Sequence, residues 1–462
     1  MPELPEVETV RRELEQTLVG KTLCEPVVYY RPLIHQDEEE YKKGCDHRKI
    51  VSIDRKGKFL LLCLDDGKRI LFHLRMEGKL FVVPLKEHSL SHLSLFFPFE
   101  DGKEGLAFYD VRKFGVTMVL KEGEEGPLIH LGPEPSMIQN GSYLHEKVHT
   151  KKKPIKELLL DQTIISGIGN IYDSEILFLS QVSPFKKGCD LTMEECDRIV
   201  SNSKDVLEKA IENNGSTIRS YQASQKVHGS FQEFLKVYQK DTLCPCCRKY
   251  HIQKIMMAGR GTYFCPKCQH TGITIAVTGK IGSGKSLATS FFKEAGYLTL
   301  SADSIVHDLY QEENFLRKLS VLFPSVFLRG KLSKKKITDK LQNDRSFKRR
   351  YETYLFHEVR RKIEEFIISN DGKNKVVEVP LLFDAHMEDL FTYLIGVETP
   401  YQKEHLLERG DRDIEKRLAF NLLNSYDSNR DRLSFILHSD STKEHLKEQV
   451  DDVVKKIEEE LK

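Results

Sequence analysis

The chain has 462 residues and a formal net charge of +1; hydrophobic residues make up 39% of it and charged residues 31%. This length predicts about three domains, and the composition excludes a collagen-like or wholly disordered chain. No apolar run approaches the ~18–20 residues that span a bilayer, and the acidic start MPELPEVETVRREL does not read as a secretory signal. We therefore expect a cytoplasmic protein without a membrane partner, whose cysteines stay reduced.

The first half of the chain predicts a β-rich domain followed by a helical one. Short apolar runs separated by turn residues, among them FLLLCL, RILFHL, LSLFFPF and GVTMVL, indicate strands within residues 1–130. A helix from about Glu6 to Leu18 precedes them, because its apolar residues fall on one face. From 131 to 225 the apolar spacing becomes helical, with Thr192 as the expected cap of one helix.

Residues 226–270 contain two C-x₂-C pairs separated by 17 residues, a spacing typical of a four-thiolate zinc site. The expected ligands are Cys244, Cys247, Cys265 and Cys268. Cys246 lies inside the first pair and is expected to be a bystander. Between the pairs, IQKIMMAGRGTYF predicts a strand–turn–strand finger with Arg260 at its tip, suited to contact with a phosphate backbone.

From residue 273 the apolar strand ITIAVTG opens an α/β pattern that continues to 462, and the motif GKIGSGKS follows this strand directly. It is a complete phosphate-binding loop, whose backbone N–H groups hold phosphates while Lys285 reaches their oxygens and Ser286 binds Mg²⁺. The expected nucleotide-binding residues of the loop are Gly279, Gly282, Ser283, Gly284, Lys285 and Ser286. This half is therefore expected to bind Mg²⁺ and ATP on a parallel sheet.

The amino terminus allows two interpretations. Pro2 and Glu3 suit an ordinary helix start, where proline and acidic residues are favoured. Alternatively, removal of Met1 exposes a secondary α-amine that titrates near neutral pH and can attack a sugar carbon. Glu3 would then move protons.

Several motifs decide between these interpretations. MPELPEVETVRREL, RKGKFLLL, HLRMEG, YDVRKFG, ISGIGNIYDSEILF and AGRGTYFCPKCQ together resemble formamidopyrimidine-DNA glycosylase over residues 1 to about 270. The resemblance implies a β-sandwich (1–130), a helical domain with a helix–two-turn–helix element (131–225) and a zinc finger (226–270). It also implies removal of 8-oxoguanine and ring-opened purines from damaged double-stranded DNA, followed by β,δ-elimination. The opening PELPEVE favours this branch over the related endonuclease VIII branch, which acts on oxidised pyrimidines.

The same resemblance assigns roles to single residues. Pro2 is the implied nucleophile, Glu3 the acid in base release, and Lys58 an aid to β-elimination. Arg260 is implied in phosphate binding and δ-elimination. The residues implied to fill the gap left by the extruded nucleotide are Met76, Arg112 and Phe114, and further DNA contacts are implied for His92, Lys151 and Asn170.

The second half resembles dephospho-CoA kinase over residues 273–462, through its phosphate-binding loop, LSADSIVHDLY, VVEVPLLFDA and HLLERGDRDIEKRLAFN. The resemblance implies transfer of phosphate from Mg·ATP to the ribose 3′-hydroxyl of dephospho-CoA. Asp303 is the implied base, and Arg409 and Arg417 belong to the implied lid over the triphosphate. The sequence departs from the family pattern at Lys280, Ser301 and Asn421.

Three readings of the whole chain remain. The first joins two enzymes, with DNA, ATP and dephospho-CoA as partners and no obligate protein partner evident. The second is a glycosylase with a nucleotide-binding or oligomerising module. The third, a DNA-binding protein driven by ATP hydrolysis, is the weakest, because residues 271–462 carry no net charge and no helicase-type motif.

Overall fold

The computed structural model describes residues 2–85, 89–216, 229–238, 242–328, 330–408, 425–440 and 442–461. The chain divides into two compact units, Met1–Tyr238 and Gln239–Lys462. The two C-x₂-C pairs fall in the second unit. Among the helices in the described ranges, none is long and apolar enough to cross a membrane.

The first unit begins with a β-sandwich. Its strands are β1 (Thr22–Leu23), β2 (Val27–Val28), β3 (Arg48–Lys56), β4 (Phe59–Leu64), β5 (Arg69–His73), β6 (Lys79–Pro84), β7 (Leu93–Pro98), β8 (Glu104–Tyr109) and β9 (Val116–Leu120). They form two antiparallel sheets, in the orders β1-β3-β4-β5-β9 and β2-β7-β8-β6. Apolar side chains of both sheets share one core, as the alternating apolar runs predict.

The helices of the first unit lie before, within and after the sandwich in the sequence. They are α1 (Leu4–Leu18), α2 (Glu38–Cys45), α3 (Gly141–Val148), α4 (Ile155–Leu159), α5 (Asn170–Leu179) and α6 (Met193–Glu212). The apolar face of α1 packs into the sandwich core, and α1 begins two residues earlier than predicted because Glu3 occupies its N-cap position. Thr192 caps α6 in a reciprocal pair with Glu195, as predicted.

The second unit contains a β-ribbon and a parallel sheet. Its strands are β10 (Gln253–Met257), β11 (Arg260–Phe264), β12 (Thr274–Thr278), β13 (Leu298–Ser301), β14 (Phe327–Leu328), β15 (Lys331–Leu332), β16 (Lys375–Glu378), β17 (Tyr393–Glu398) and β18 (Phe435–His438). Five of them form a parallel sheet in the order β13-β16-β12-β17-β18. Its all-parallel pairing agrees with the predicted α/β kinase fold.

Helices pack around this sheet. They are α7 (Lys285–Glu294), α8 (Ala302–Leu309), α9 (Glu313–Leu322), α10 (Lys334–Asn343), α11 (Arg345–Ser369), α12 (Gln402–Glu408) and α13 (Lys443–Leu461). The phosphate-binding loop joins the carboxyl end of β12 to α7, the position in which such loops bind phosphates.

Candidate active sites

Glu3 is buried where the first turn of α1 lies against the first turn of α5. It caps α1, is 2% exposed, and accepts the backbone N–H of Ile171 in the first turn of α5 at 2.9 Å. Burial raises the pKa of Glu3 to about 7, although the positive charge of Lys58 acts in the opposite direction. The carboxyl group can therefore hold and release a proton near neutral pH.

The loop before α5 leaves room for this carboxyl group. A Cβ atom at Gly169 would lie 2.2 Å from the Glu3 carboxyl carbon, so any side chain there would displace Glu3. Gly167 has a φ of +96°, a conformation that favours glycine. Asn170 follows as the first residue of α5 and is half-buried. The GIGN motif thus shapes the Glu3 site as well as supplying Asn170.

Lys58 reaches the same loop. It is 4% exposed, and its ammonium group donates a hydrogen bond to the carbonyl of Ile168 at 2.7 Å. Pro2 is also buried. The structure therefore brings Glu3, Lys58 and the GIGN loop together.

Glu134 holds the turn between β3 and β4 that carries Lys58. Its carboxylate accepts hydrogen bonds from the Arg55 guanidinium at 2.6 and 2.9 Å and from the backbone N–H of Gly57 at 2.7 Å. Arg55 also donates to Glu8 at 2.9 Å. The sequence analysis missed Glu134, because no local motif connects it with Lys58.

Glu6 is a second residue that the sequence analysis did not place in the site. It is 3% exposed and accepts hydrogen bonds from the backbone N–H of Glu3 at 2.9 Å, the Tyr172 hydroxyl at 2.5 Å and the backbone N–H of Ser216 at 2.7 Å. Its spacing of three residues from Glu3, typical of a capping box, was the available signal. Glu6 thereby fixes the start of α1 against α5.

His73 supports the turn that carries Met76. Its Nδ1 accepts the backbone N–H of Arg75 at 3.0 Å. Burial, with the positive charges of Arg75 and Lys58, lowers the pKa of His73 to about 3. The His73 ring is therefore neutral at physiological pH, and its Nδ1 remains able to accept this hydrogen bond.

Asp110 supports the turn that carries Arg112 and Phe114. It is 1% exposed and accepts the backbone N–H groups of Arg112 at 3.0 Å and Gly115 at 2.6 Å. Phe114 is 54% exposed, and the Arg112 guanidinium lies 5.3 Å from its ring centroid. An exposed ring paired with a cation suits insertion into a base stack.

His92 and Lys151, two further predicted DNA contacts, also belong to the first unit. The carbonyl of His92 accepts the backbone N–H of Asp110 at 2.9 Å, so His92 borders the Arg112 turn. Lys151 lies between α3 and α4, and its side chain is exposed.

The sulfur atoms of Cys244, Cys247, Cys265 and Cys268 all lie within 4.8 Å of one another. Two of the sulfur–sulfur distances are 3.7 Å. In a tetrahedral site with Zn–S bonds of about 2.3 Å, the sulfur atoms lie roughly 3.8 Å apart. Cys246 is exposed and outside this cluster, as expected. The four thiols therefore fit a structural zinc ion.

The segment around this cluster, residues 242–271, is here called the cysteine ribbon. Its strands β10 and β11 pair antiparallel through Ala258 and Gly259, which both have positive φ values, as a tight hairpin turn requires. Arg260 follows this turn and is exposed. The predicted strand–turn–strand finger is present, and it belongs to the second unit.

The cysteine ribbon packs against the amino-terminal ends of the strands in the parallel sheet. The hydroxyls of Tyr250 and Tyr393 lie 3.1 Å apart, and the Gln253 amide donates to the Thr392 hydroxyl at 3.2 Å. The backbone N–H of Met256 donates to a carboxylate of α11 at 3.2 Å. The phosphate-binding loop lies at the opposite, carboxyl-terminal ends of these strands.

The phosphate-binding loop turns at three glycines with positive φ, Gly279, Gly282 and Gly284. A Cβ atom at Gly279 would lie 2.4 Å from the carbonyl oxygen of a neighbouring strand. Lys280, where the family pattern has glycine, is not among the described residues with positive φ. It pairs with Asp427 at 2.6 Å, so the loop accommodates this departure.

Ser286 and Glu378 form a candidate Mg²⁺ site. The Ser286 hydroxyl donates to the Glu378 carboxylate at 3.0 Å. Glu378 ends β16, the strand beside β12. A loop hydroxyl and an acid at a strand end are the protein groups that hold Mg²⁺ in phosphate-loop enzymes. Sequence analysis missed Glu378, although an acid at the end of a buried strand was a visible signal.

A cavity of about 990 Å³ borders the loop and is large enough for a nucleotide with part of a second substrate. Asp303, Phe356 and Ser439 lie in its wall. The hydroxyl of Ser283 is buried and has no hydrogen-bond partner among the described residues, so it is open to a phosphate oxygen. Arg409, Arg417 and Asn421 fall in 409–424, outside the described residues.

Comparison with known proteins finds separate matches for the two halves of the chain. Residues 1–117 match the N-terminal domain and residues 131–222 the H2TH domain of formamidopyrimidine-DNA glycosylase, and residues 273–452 match dephospho-CoA kinase. A formamidopyrimidine-DNA glycosylase of Bacillus cereus (strain ZK / E33L) is 44% identical over 276 residues, covering 58% of this chain and 99% of the relative. The chain belongs to the formamidopyrimidine-DNA glycosylase family. It also carries a dephospho-CoA kinase domain.

Further relatives agree with this assignment. The formamidopyrimidine-DNA glycosylase of Streptococcus pneumoniae (strain ATCC BAA-255 / R6) is 43% identical over 274 residues, covering 58% of this chain and 99% of the relative. The wild-type Lactococcus lactis Fpg (MutM), solved with DNA containing N7-benzyl-Fapy-dG, has a TM-score of 0.55 and 37% identity. That comparison covers 58% of this chain and 99% of the solved one.

Proposed function

We propose that the chain joins two enzymes. One is a DNA glycosylase and abasic-site lyase that excises 8-oxoguanine and formamidopyrimidines from double-stranded DNA. The other is a kinase that phosphorylates the ribose 3′-hydroxyl of dephospho-CoA with Mg·ATP. The observation that carries the first activity is a buried Glu3 with a pKa near 7 beside Pro2 and Lys58.

In the glycosylase reaction, removal of Met1 makes Pro2 the terminal residue. Its secondary amine attacks C1′ of the extruded nucleotide, and the bond from C1′ to the base breaks. Glu3 supplies the proton that this step requires. Cleavage of the C1′–O4′ bond then opens the sugar ring, with O4′ taking up the proton lost by the Pro2 nitrogen, and leaves an iminium. The iminium loses a C2′ proton, after which the 3′ and then the 5′ phosphate leave by β- and δ-elimination. Lys58 assists the first elimination and Arg260 the second.

DNA binding rests on six residues of the first unit. Met76, Arg112 and Phe114 fill the gap left in the duplex, while His92, Lys151 and Asn170 contact the strands. The four thiols of the cysteine ribbon hold one zinc ion, which when bound is structural and supplies rigidity. Arg260 depends on this rigidity for its position.

In the kinase reaction, Lys285 neutralises charge on the phosphates of ATP and the loop amides donate hydrogen bonds to them, while Ser286 and Glu378 would hold Mg²⁺. When bound, Mg²⁺ neutralises charge on the phosphate oxygens. Asp303 orients or deprotonates the acceptor hydroxyl from the wall of the same cavity. We assign Arg409 and Arg417 to the lid that contacts the triphosphate.

Two assays test the proposal. Borohydride should trap a covalent complex with DNA containing 8-oxoguanine, and Pro2→Gly should sharply reduce it; undiminished trapping by Pro2→Gly would shift the chemistry to a lysine such as Lys58. DNA containing oxidised pyrimidine serves as the specificity control.

The kinase assay measures ATP consumption with dephospho-CoA in the absence of DNA. Lys285→Ala should abolish phosphate transfer and leave glycosylase activity unchanged. Mg·ATP binding without phosphate transfer by the wild type would instead identify a nucleotide-binding module.

A further inference from the structure

The charge of the kinase half is unevenly distributed. Residues 271–462 contain 32 basic and 32 acidic residues, yet residues 331–350 contain nine basic and two acidic ones. This stretch therefore has a net charge of +7 within a half whose net charge is zero. The zero net charge of this half therefore conceals a strongly basic surface.

We call residues 331–350 the basic hairpin. It comprises β15, α10 and the first residues of α11, which pack together because Asp344 ends one helix and caps the next. Buried Phe347 anchors it, with the Lys340 ammonium 5.4 Å from its ring centroid. The exposed cations of the hairpin are Lys331, Lys334, Lys335, Arg345, Arg349 and Arg350. They stand on ordered elements of the fold.

These six cations share one surface segment, and in the part of the chain that the structure describes none of them makes an ion pair with an acidic residue. Some cations elsewhere in the same unit are paired, such as Arg360 with Asp389 at 2.7 Å and Arg430 with Glu398 at 2.7 Å. None of the six lines the nucleotide cavity, so the kinase substrates do not account for them.

We propose that the basic hairpin binds the phosphate backbone of duplex DNA, without regard to sequence or damage. Six exposed cations without an ion-pair partner among the described residues suit a repeating polyanion, because each phosphate neutralised releases a counterion. Arg345 and Arg349 are four residues apart on one helix face, about 6 Å along its axis. The same chain belongs to a DNA-glycosylase family, so the covalent link raises the effective concentration of duplex DNA for this unit above that of other polyanions.

Lysine footprinting of the full-length protein tests this directly. Labelling with an amine-reactive ester should fall several-fold at Lys331, Lys334 and Lys335 when undamaged 40-base-pair duplex is added at low salt. The exposed Lys455 and Lys456 on α13 are matched controls and should label equally with and without DNA. Unchanged labelling of the hairpin would overturn the proposal. Stronger protection by single-stranded RNA than by duplex would also overturn it.

A variant gives a second, independent measurement. Combined Lys334→Ala, Lys335→Ala, Arg345→Ala and Arg349→Ala should reduce the slope of log K against log salt for undamaged duplex by about 3–4, at roughly 0.9 per phosphate contact. Kinase turnover should stay within about twofold of wild type, which shows that the unit is folded. Lys455→Ala with Lys456→Ala should leave the slope unchanged. An unaltered slope in the hairpin variant would refute the proposal.

Discussion

Tyr250 of the cysteine ribbon and Tyr393 of the kinase sheet share a hydrogen bond between hydroxyl oxygens 3.1 Å apart. Their rings meet edge to face, and Tyr393 also donates to the Glu460 carboxylate on α13. Burial raises the pKa of Tyr250, so its hydroxyl stays protonated and able to donate. A ribbon that resembles a glycosylase finger is therefore built into the kinase unit.

Loss of the metal should consequently destabilise the kinase. Cys265→Ser should remove the zinc and lower the melting temperature of the ATP-stabilised transition by several degrees. About 1 kcal/mol for each of three docking hydrogen bonds corresponds to roughly 6–12 °C in a unit of this size. Calorimetry with and without ATP measures it. Cys246→Ser, outside the cluster, is the control, and a zinc-free variant with unchanged kinase melting would contradict the prediction.

Local patterns predicted most of the architecture. The C-x₂-C spacing identified a cluster that the fold brings together, and the glycines of the phosphate-binding loop have the positive φ values that their pattern requires. Apolar periodicity located α1 and the strands of the sandwich. These features depend on residues close in sequence, where spacing determines geometry directly.

Long-range pairs could not be predicted in this way. Glu134 meets Arg55, and Glu378 meets Ser286, only because distant elements pack together. The docking of the cysteine ribbon on the sheet likewise has no local signature. Net charge concealed the basic hairpin, because acidic residues elsewhere balance it in sequence without neutralising it in space.

Glu3 should support base excision only while it is protonated. Since its pKa is raised to about 7, excision of 8-oxoguanine should slow relative to cleavage of a pre-formed abasic site as pH rises through 7. Single-turnover excision measured across pH tests this, with cleavage of a pre-formed abasic site as the control. Glu3→Gln should depress excision more than abasic-site cleavage. Identical pH profiles for the two reactions would contradict this role.

The raised pKa of Glu3 should also make the free energy of unfolding depend on pH. The unfolded carboxyl titrates near 4.5, so the folded state binds more protons between pH 4.5 and about 7. The contribution of Glu3 to the free energy of unfolding should therefore fall as pH rises through this interval. Glu3→Gln has no charge to bury and should gain stability relative to wild type over the same interval. Denaturant titrations at pH 5 and pH 8 measure the difference.

Glu134→Gln should loosen the turn that carries Lys58. Both Glu134 and Arg55 side chains are 12% exposed, so losing this charge-assisted pair should cost about 1.5–3 kcal/mol of unfolding free energy. Abasic-site cleavage should fall with it. Glu125→Gln is the matched control, because Glu125 pairs with Lys56, the last residue of β3 before the same turn, but is exposed. That surface pair is worth about 1 kcal/mol or less. Equal effects of the two variants would disprove a positioning role for Glu134.

Glu378→Gln should weaken the use of Mg²⁺ by the kinase. The Ser286 hydroxyl would keep a hydrogen-bond partner, but the site would lose the charge that attracts a divalent cation. We expect the Mg²⁺ concentration for half-maximal phosphate transfer to dephospho-CoA to rise by about 10–100-fold. Glycosylase activity should not change.

The neighbouring strand supplies a control for this prediction. Glu398 ends β17, as Glu378 ends β16, but it accepts hydrogen bonds from Arg430 and Tyr426 and does not line the nucleotide cavity. Glu398→Gln should therefore leave the Mg²⁺ dependence unchanged, even where it lowers stability. If Glu378→Gln has the Mg²⁺ dependence of wild type, the metal is held by other groups and Glu378 only fixes the Ser286 hydroxyl.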